Sequence, residues 1–159
     1  MDKANPPRAF GVFKPAGHTV IAFANAEQME AAASALLRTG FQARELVRYS
    51  SAEMIAQADS DMHTASPLAS VGQDLNLVKA QRALAQNGCS FLVVEAGDGA
   101  KALRVDEVVH SMQAIAAQRY GTLIVEDLVV SLDNGKNQSF ESPDTGLDMN
   151  TTPPPAVLP

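Results

Sequence analysis

Asp59, Asp61 and His63 fall within five consecutive residues, Asp59-Ser60-Asp61-Met62-His63, the one local cluster of metal-ligand types in the chain. On a helix, Asp59 and His63 are four apart and share a face, so they could hold a divalent cation if further ligands came from elsewhere, such as His18 or His110. The competing reading is a solvated polar pair near a helix C-terminus, where a histidine also suits the helix dipole. Arg44 and Arg48 lie an even number of residues apart on a stretch that alternates like a strand. With Leu46 between them they make a mixed apolar and cationic surface, suited to a small anionic ligand or to a partner's acidic residues. Glu95, Glu126 or Asp127 on neighbouring strands would satisfy the same arginines as cross-strand ion pairs. Ser66 and Gln73 sit in H-T-A-S-P-L-A-S-V-G-Q-D, a small, polar stretch that could line a pocket or simply connect two helices.

Other chemistry is weakly signalled. Gly97-Asp98-Gly99-Ala100-Lys101 separates a strand from a helix, where glycines can offer backbone N–H groups to a phosphate, but it lacks the full dinucleotide and P-loop patterns. Cys89 is the only cysteine. It opens an apolar strand and reads as a small buried hydrophobe; an internal disulfide and a cysteine-rich zinc site are both excluded. No local Ser-His-Asp or Cys-His signature is present. A non-enzymatic binding module is therefore favoured over an enzyme, and no cofactor is implied beyond a divalent metal.

These residues must be placed by a fold that the apolar pattern describes twice. His18 to Ala24 is apolar on both alternating faces, as expected of a strand covered on two sides. Asn25 and Gln28 make a capping pair, and Met29, Ala32, Ala33, Leu36 and Leu37 trace one helical face. Gly40 ends that helix and Phe41 to Tyr49 alternates as a second strand. Ser90 to Ala96 begins the same pattern again: a doubly apolar strand, a turn, a helix from Arg104 to Tyr120 and a strand from Thr122 to Val130. Between the two units, Ser50 and Glu53 open one helix reaching about Thr64, and a second runs from about Gln73 to Gln86. The reading is an α+β fold: a ferredoxin-like β-α-β repeat with a four-stranded antiparallel sheet and a two-helix insertion at about 51–88. A small doubly wound sheet is the alternative. The second apolar sheet face then needs a cover, either the inserted helices or a second copy of the chain.

Residues 1–17 form an N-terminal arm whose Phe10, Val12 and Phe13 suit packing back onto the body. Residues 18–131 are one domain, and 132–159 are a Pro-rich tail too polar to offset its ordering entropy. The segment V-I-A-F-A-N-A-E-Q-M-E-A-A-A-S-A-L-L-R-T-G-F-Q-A-R-E-L-V-R-Y, Val20 to Tyr49, resembles the opening unit of bacterial general-stress-protein-type domains. That resemblance implies the strand-helix-strand order and a stress-associated setting; it lends no chemistry.

The chain has 159 residues and a net charge of −6. It carries no run of Lys and Arg, so it lacks the basic footprint that nucleic acid or an anionic membrane requires. No stretch has the ~20 apolar residues of a membrane span, and the first residues lack the apolar core of a signal peptide. The expectation is a cytoplasmic homodimer acting by oligomerisation or by small-ligand or protein interaction. The alternative is a small metal-dependent enzyme or metal-binding protein using Asp59, Asp61 and His63.

Overall fold

A computed structural model describes residues 1–67, 72–96 and 99–129, and the backbone of Ser139–Phe140. Two short strands, β1 (Arg8–Ala9) and β2 (Val12–Phe13), form an antiparallel hairpin. The body follows as β3 (His18–Phe23), α1 (Ala26–Arg38), a 3-10 turn (Ala43–Glu45), β4 (Leu46–Tyr49), α2 (Ser51–Thr64), α3 (Gln73–Gln86), β5 (Ser90–Val94), α4 (Gly99–Ser111), β6 (Ala116–Tyr120), β7 (Val125–Asp127) and β8 (Ser139–Phe140). The main sheet runs β4-β5-β3-β6-β7-β8 with every neighbouring pair antiparallel. The class is therefore α+β, and the doubly wound alternative is excluded by the antiparallel pairing. The sheet has six strands rather than the four expected, because β7 and β8 continue it beyond β6.

Each helical crossover skips one strand. β3 and β4, joined through α1, both flank β5, and β5 and β6, joined through α4, both flank β3. The two units thus interleave, which places β3 and β5 at the centre with both faces covered. Ile21, Phe23, Leu92 and Val94 point into a core with α1 and α4. Val20, Ala22, Phe91 and Val93 point the other way, into a second core with Met54 and Ala58 of α2, Leu77 and Val78 of α3, and Val12 and Phe13 of the arm. Strand alternation carries both sets, since successive side chains leave opposite faces. The second face is thus sealed by the chain's own inserted helices and arm, and no second copy is needed to keep it from water.

Two expected boundaries move. The strand expected over Phe41–Tyr49 is shortened to Leu46–Tyr49, because Glu45 reaches back to the Gln42 N–H (2.7 Å) and tightens Ala43–Glu45 into a 3-10 turn. The helix expected over Arg104–Tyr120 spans Gly99–Ser111 instead. Apolar residues at 112, 115 and 116 continue its period, but Gln113 turns left-handed (φ 53°) and the Ile115 N–H goes to the Ala22 carbonyl (2.8 Å). Ala116–Tyr120 then pairs with β3, satisfying a sheet edge that a longer helix would leave open. The strand expected over Thr122–Val130 is reduced to Val125–Asp127. Apart from Ser139–Phe140, which pairs as a strand, the expected Pro-rich tail lies outside the described residues, as do Gly97 and Asp98 of the glycine turn and residues 68–71.

The arm reverses in two residues. Phe10 (φ 53°) and Gly11 (φ 81°) both take positive φ, the conformation of a type I′ hairpin, which matches strand twist. A Cβ on Gly11 would lie 2.4 Å from the Thr64 carbonyl oxygen. Gly11→Ala should therefore both strain the turn and push the arm off α2. The expected loss is ~1–3 kcal/mol in urea unfolding; an unchanged midpoint would contradict this docking.

Candidate functional site

Asp61 organises the site. Met54, Ala58 and Asp61 are the buried residues of α2, so Asp61 occupies a position where the helical period calls for an apolar side chain. It is fully buried, with 0% exposure. One oxygen accepts from the Phe13 N–H (3.0 Å) and the other from Arg8 Nε (3.3 Å) and Gln57 Nε2 (2.9 Å). Burial raises its pKa above the ordinary 3.8, and these three donors, the Phe13 amide foremost, oppose that rise. A buried carboxylate without such partners would be costly, so the three donors and Asp61 fix one another. The arm is thereby tied to the body through residues some fifty positions apart in sequence.

Arg8 is held from behind. Its Nε is engaged by Asp61, while the two terminal guanidinium nitrogens have no hydrogen-bond partner among the described residues. Lys3 also crosses from the arm, donating to the Arg48 carbonyl (2.8 Å) and to Glu53 Oε1 (2.7 Å) and lying 5.3 Å over the Tyr49 ring. That contact also covers the outer edge of β4, as a charged group on an edge strand usefully does. The Lys3 hydrogen bond, and then the Ser50 N–H, hold the Glu53 carboxyl below its usual range.

A cleft of about 360 Å³ lies between this part of the arm and α2, bordered by Lys3, Arg8, Tyr49, Glu53, Gln57 and Ser60 among others. Glu53, Gln57 and Ser60 fall at i, i+4 and i+7 and so share one face of the helix. Tyr49 is 1% exposed and its hydroxyl has no hydrogen-bond partner among the described residues. Burial, reinforced by Asp61 and Glu53, pushes it up to about 12, so the phenol stays protonated and can donate. Tyr120 makes the contrast: equally buried and packed against the same Phe13, it receives a hydrogen bond from Gln81 Nε2 (2.9 Å). Buried hydroxyls are normally satisfied, so those of Tyr49 and Ser66, both without a partner among the described residues, call for explanation, and Tyr49 is the one that borders the cleft.

The residues singled out from sequence do not assemble. Asp59 pairs with Arg82 of α3 (2.6 Å) and His63 is exposed, while Asp61 points inward on another face of α2. Among the described residues, no three or more His, Cys, Asp or Glu side chains are grouped to hold a metal, and neither His18 nor His110 completes such a set. Asp59 and His63 share a face of α2 as expected, but α3 packs along that helix and supplies Asp59 with an arginine. Arg44 is exposed on the 3-10 turn, and Arg48 pairs with Glu30 of α1 (2.6 Å) rather than with a strand neighbour. Of the acidic groups considered for cross-strand pairing, Glu126 faces Arg119 (3.6 Å). Ser66 and Gln73 lie at the ends of the α2–α3 connection, remote in sequence from either arginine. Each has a buried side-chain oxygen without a partner among the described residues, and residues 68–71 between them are outside that set.

Sequence reasoning missed Lys3, Arg8, Tyr49, Gln57 and Ser60 as a group. A usable signal existed in Asp61, since a carboxylate three residues past Ala58 on an apolar stripe demands a cationic or N–H partner. It does not say that the partner comes from the arm. The chain matches no family model, no curated protein and no solved structure.

Proposed function

We propose that this chain is a small-ligand-binding module and that its site is the cleft between the N-terminal arm and α2. The carrying observation is Tyr49, which borders the cleft and whose buried, protonated hydroxyl has no partner among the described residues, beside Arg8, whose two terminal nitrogens have none there either. An arginine oriented by a buried carboxylate is a favourable receptor for a carboxylate or phosphate, because its planar fork is set before the ligand arrives. The anionic ligand expected at Arg44 and Arg48 is thus assigned to Arg8 and Tyr49. The frame is read as an elaborated ferredoxin-like unit, with the insertion and arm turning its second face into a binding face. A stress-associated role rests on the resemblance of Val20 to Tyr49 alone. Asp59, Asp61 and His63 are otherwise engaged or apart, so the metal-dependent alternative gains no support.

The test is an amide NMR titration of the full chain with small carboxylates, phosphates and amino compounds. Saturable shifts confined to residues 3–8 and 53–60 are expected for at least one compound. No shifts there, or shifts only elsewhere, would contradict the reading. Tyr49→Phe should weaken the responding compound roughly tenfold, the value of one hydrogen bond. The same change should leave the fold as stable or raise stability by on the order of 1 kcal/mol, since it removes an unsatisfied buried hydroxyl. A tyrosine kept only for packing would show the stability effect without the affinity effect.

A further inference from the structure

We infer that the molecule this cleft accepts is a small zwitterion with the charge layout of a free α-amino acid. The inference rests on the cleft being a ligand site and supplies the chemistry of its ligand. The two walls of the cleft differ in kind. The arm brings cations, Lys3 and Arg8, while α2 brings acceptors along a single face, Glu53, Gln57 and Ser60.

The hydrogen-bonding inventory sharpens this division. On the arm side, neither terminal nitrogen of Arg8 has a hydrogen-bond partner among the described residues, and Lys3 uses two of its three N–H groups on Arg48 and Glu53. On the helix side, Gln57 must turn its NH2 toward Asp61, so its amide oxygen is left as an acceptor. Among the described residues, no hydrogen bond engages the Ser60 hydroxyl; it is the Ser60 backbone carbonyl that accepts from Thr64. Glu53 carries a full negative charge, held ionised by Lys3. Tyr49 also borders the cleft, and its buried hydroxyl keeps a proton to donate.

Charge bookkeeping selects between ligand classes. Lys3 and Arg8 contribute two positive charges, Glu53 and the buried Asp61 two negative ones, so the site is neutral in sum. A net anion or a net cation would add an uncompensated charge to the cleft. A molecule that is itself neutral but dipolar, with its carboxylate toward Arg8 and Tyr49 and its ammonium toward Glu53, Gln57 and Ser60, adds none. The volume of about 360 Å³ lies at the small end of the ~300–1,000 Å³ typical of small-molecule sites.

The experiment is a titration of the full chain, by calorimetry and amide NMR, with the standard L-amino acids taken singly up to about 10 mM. The best responder is then compared with its deaminated and its decarboxylated analogues. At least one amino acid should shift residues 3–8 and 53–60, and each analogue should bind at least tenfold more weakly. Glu53→Gln leaves the site with a net positive charge, so it should erase the preference over the deaminated analogue by weakening the amino acid and tightening that anionic analogue. Arg8→Gln should weaken the amino acid and the deaminated analogue alike. The inference is overturned if no amino acid acts there while acetate, citrate or phosphate does; the cleft would then remain a ligand site of another class. If neither group of compounds moves those residues, the binding reading falls with it.

Discussion

Phe13→Ala is expected to cost about 3–5 kcal/mol of folding stability, as large-to-small changes of a buried aromatic do. The ring is 1% exposed and sits tilted against both Tyr49 and Tyr120, with centroids 6.3 and 6.5 Å away. Its backbone N–H is retained in the variant, so the bond to Asp61 remains chemically available and the measurement isolates packing. Urea unfolding should show a lower midpoint with little change in slope. The arm should also become accessible to protease under native conditions, because Val12 and Phe13 are its apolar anchors in the second core. A loss below ~1 kcal/mol would mean that the arm contributes little to that core, contrary to its burial.

The second large effect is expected at Asp61. Asp61→Ala removes the acceptor of the Phe13 N–H, of Gln57 and of Arg8 together, and breaking a buried pair from one side typically costs ~3–5 kcal/mol. The Arg8 side chain is 32% exposed and can turn to water, so a loss near the lower end, about 3 kcal/mol, is expected here. Ligand binding should be lost as well, since Arg8 is no longer oriented. Asp61→Asn keeps an acceptor and should lose less.

The asparagine variant also gives a pH test with a definite sign. Burial sets the folded pKa of Asp61 above its ordinary 3.8, so the native state binds a proton more readily than the unfolded chain does. The stability this group contributes is therefore fully present below about 3.8 and declines as pH rises through the raised folded value, then levels off. The stability of the native protein minus that of Asp61→Asn should fall with rising pH across that window. Glu53 acts in the opposite sense in both proteins and cancels in the difference: its folded pKa is lowered by Lys3 and Ser50, so its contribution is lost as pH falls. A difference that rises through the window would contradict the burial assigned to Asp61.

What could be read from sequence followed how local the cause was. The α1 start was legible because Asn25 caps the Gln28 N–H within four residues (2.9 Å), and the α2 start because Ser50 and Glu53 bond reciprocally. The two-sided burial of β3 and β5 was legible because alternation exposes both faces of a strand to inspection. The end of α4 was not. Met112, Ile115 and Ala116 fit a helical period equally well, and the pairing of Ala116–Tyr120 with β3, almost a hundred residues earlier, decided the matter. The same distance hid the cleft. Arg8 and Asp61 are 53 residues apart and Lys3 and Glu53 are 50 apart, so neither pairing leaves a local trace. The arm was expected to dock from Phe10, Val12 and Phe13; Val12 and Phe13 do so, while Phe10 is exposed at the hairpin tip.

The most direct test is a high-resolution crystal structure of the full chain grown with the compound that binds best in solution. Ordered ligand density is expected within hydrogen-bond distance of both the Tyr49 hydroxyl and a terminal nitrogen of Arg8, with Arg8 Nε still on Asp61. A Tyr49 hydroxyl satisfied by a group of the protein itself, in a cleft filled by the Lys3 and Arg8 side chains, would contradict the binding reading.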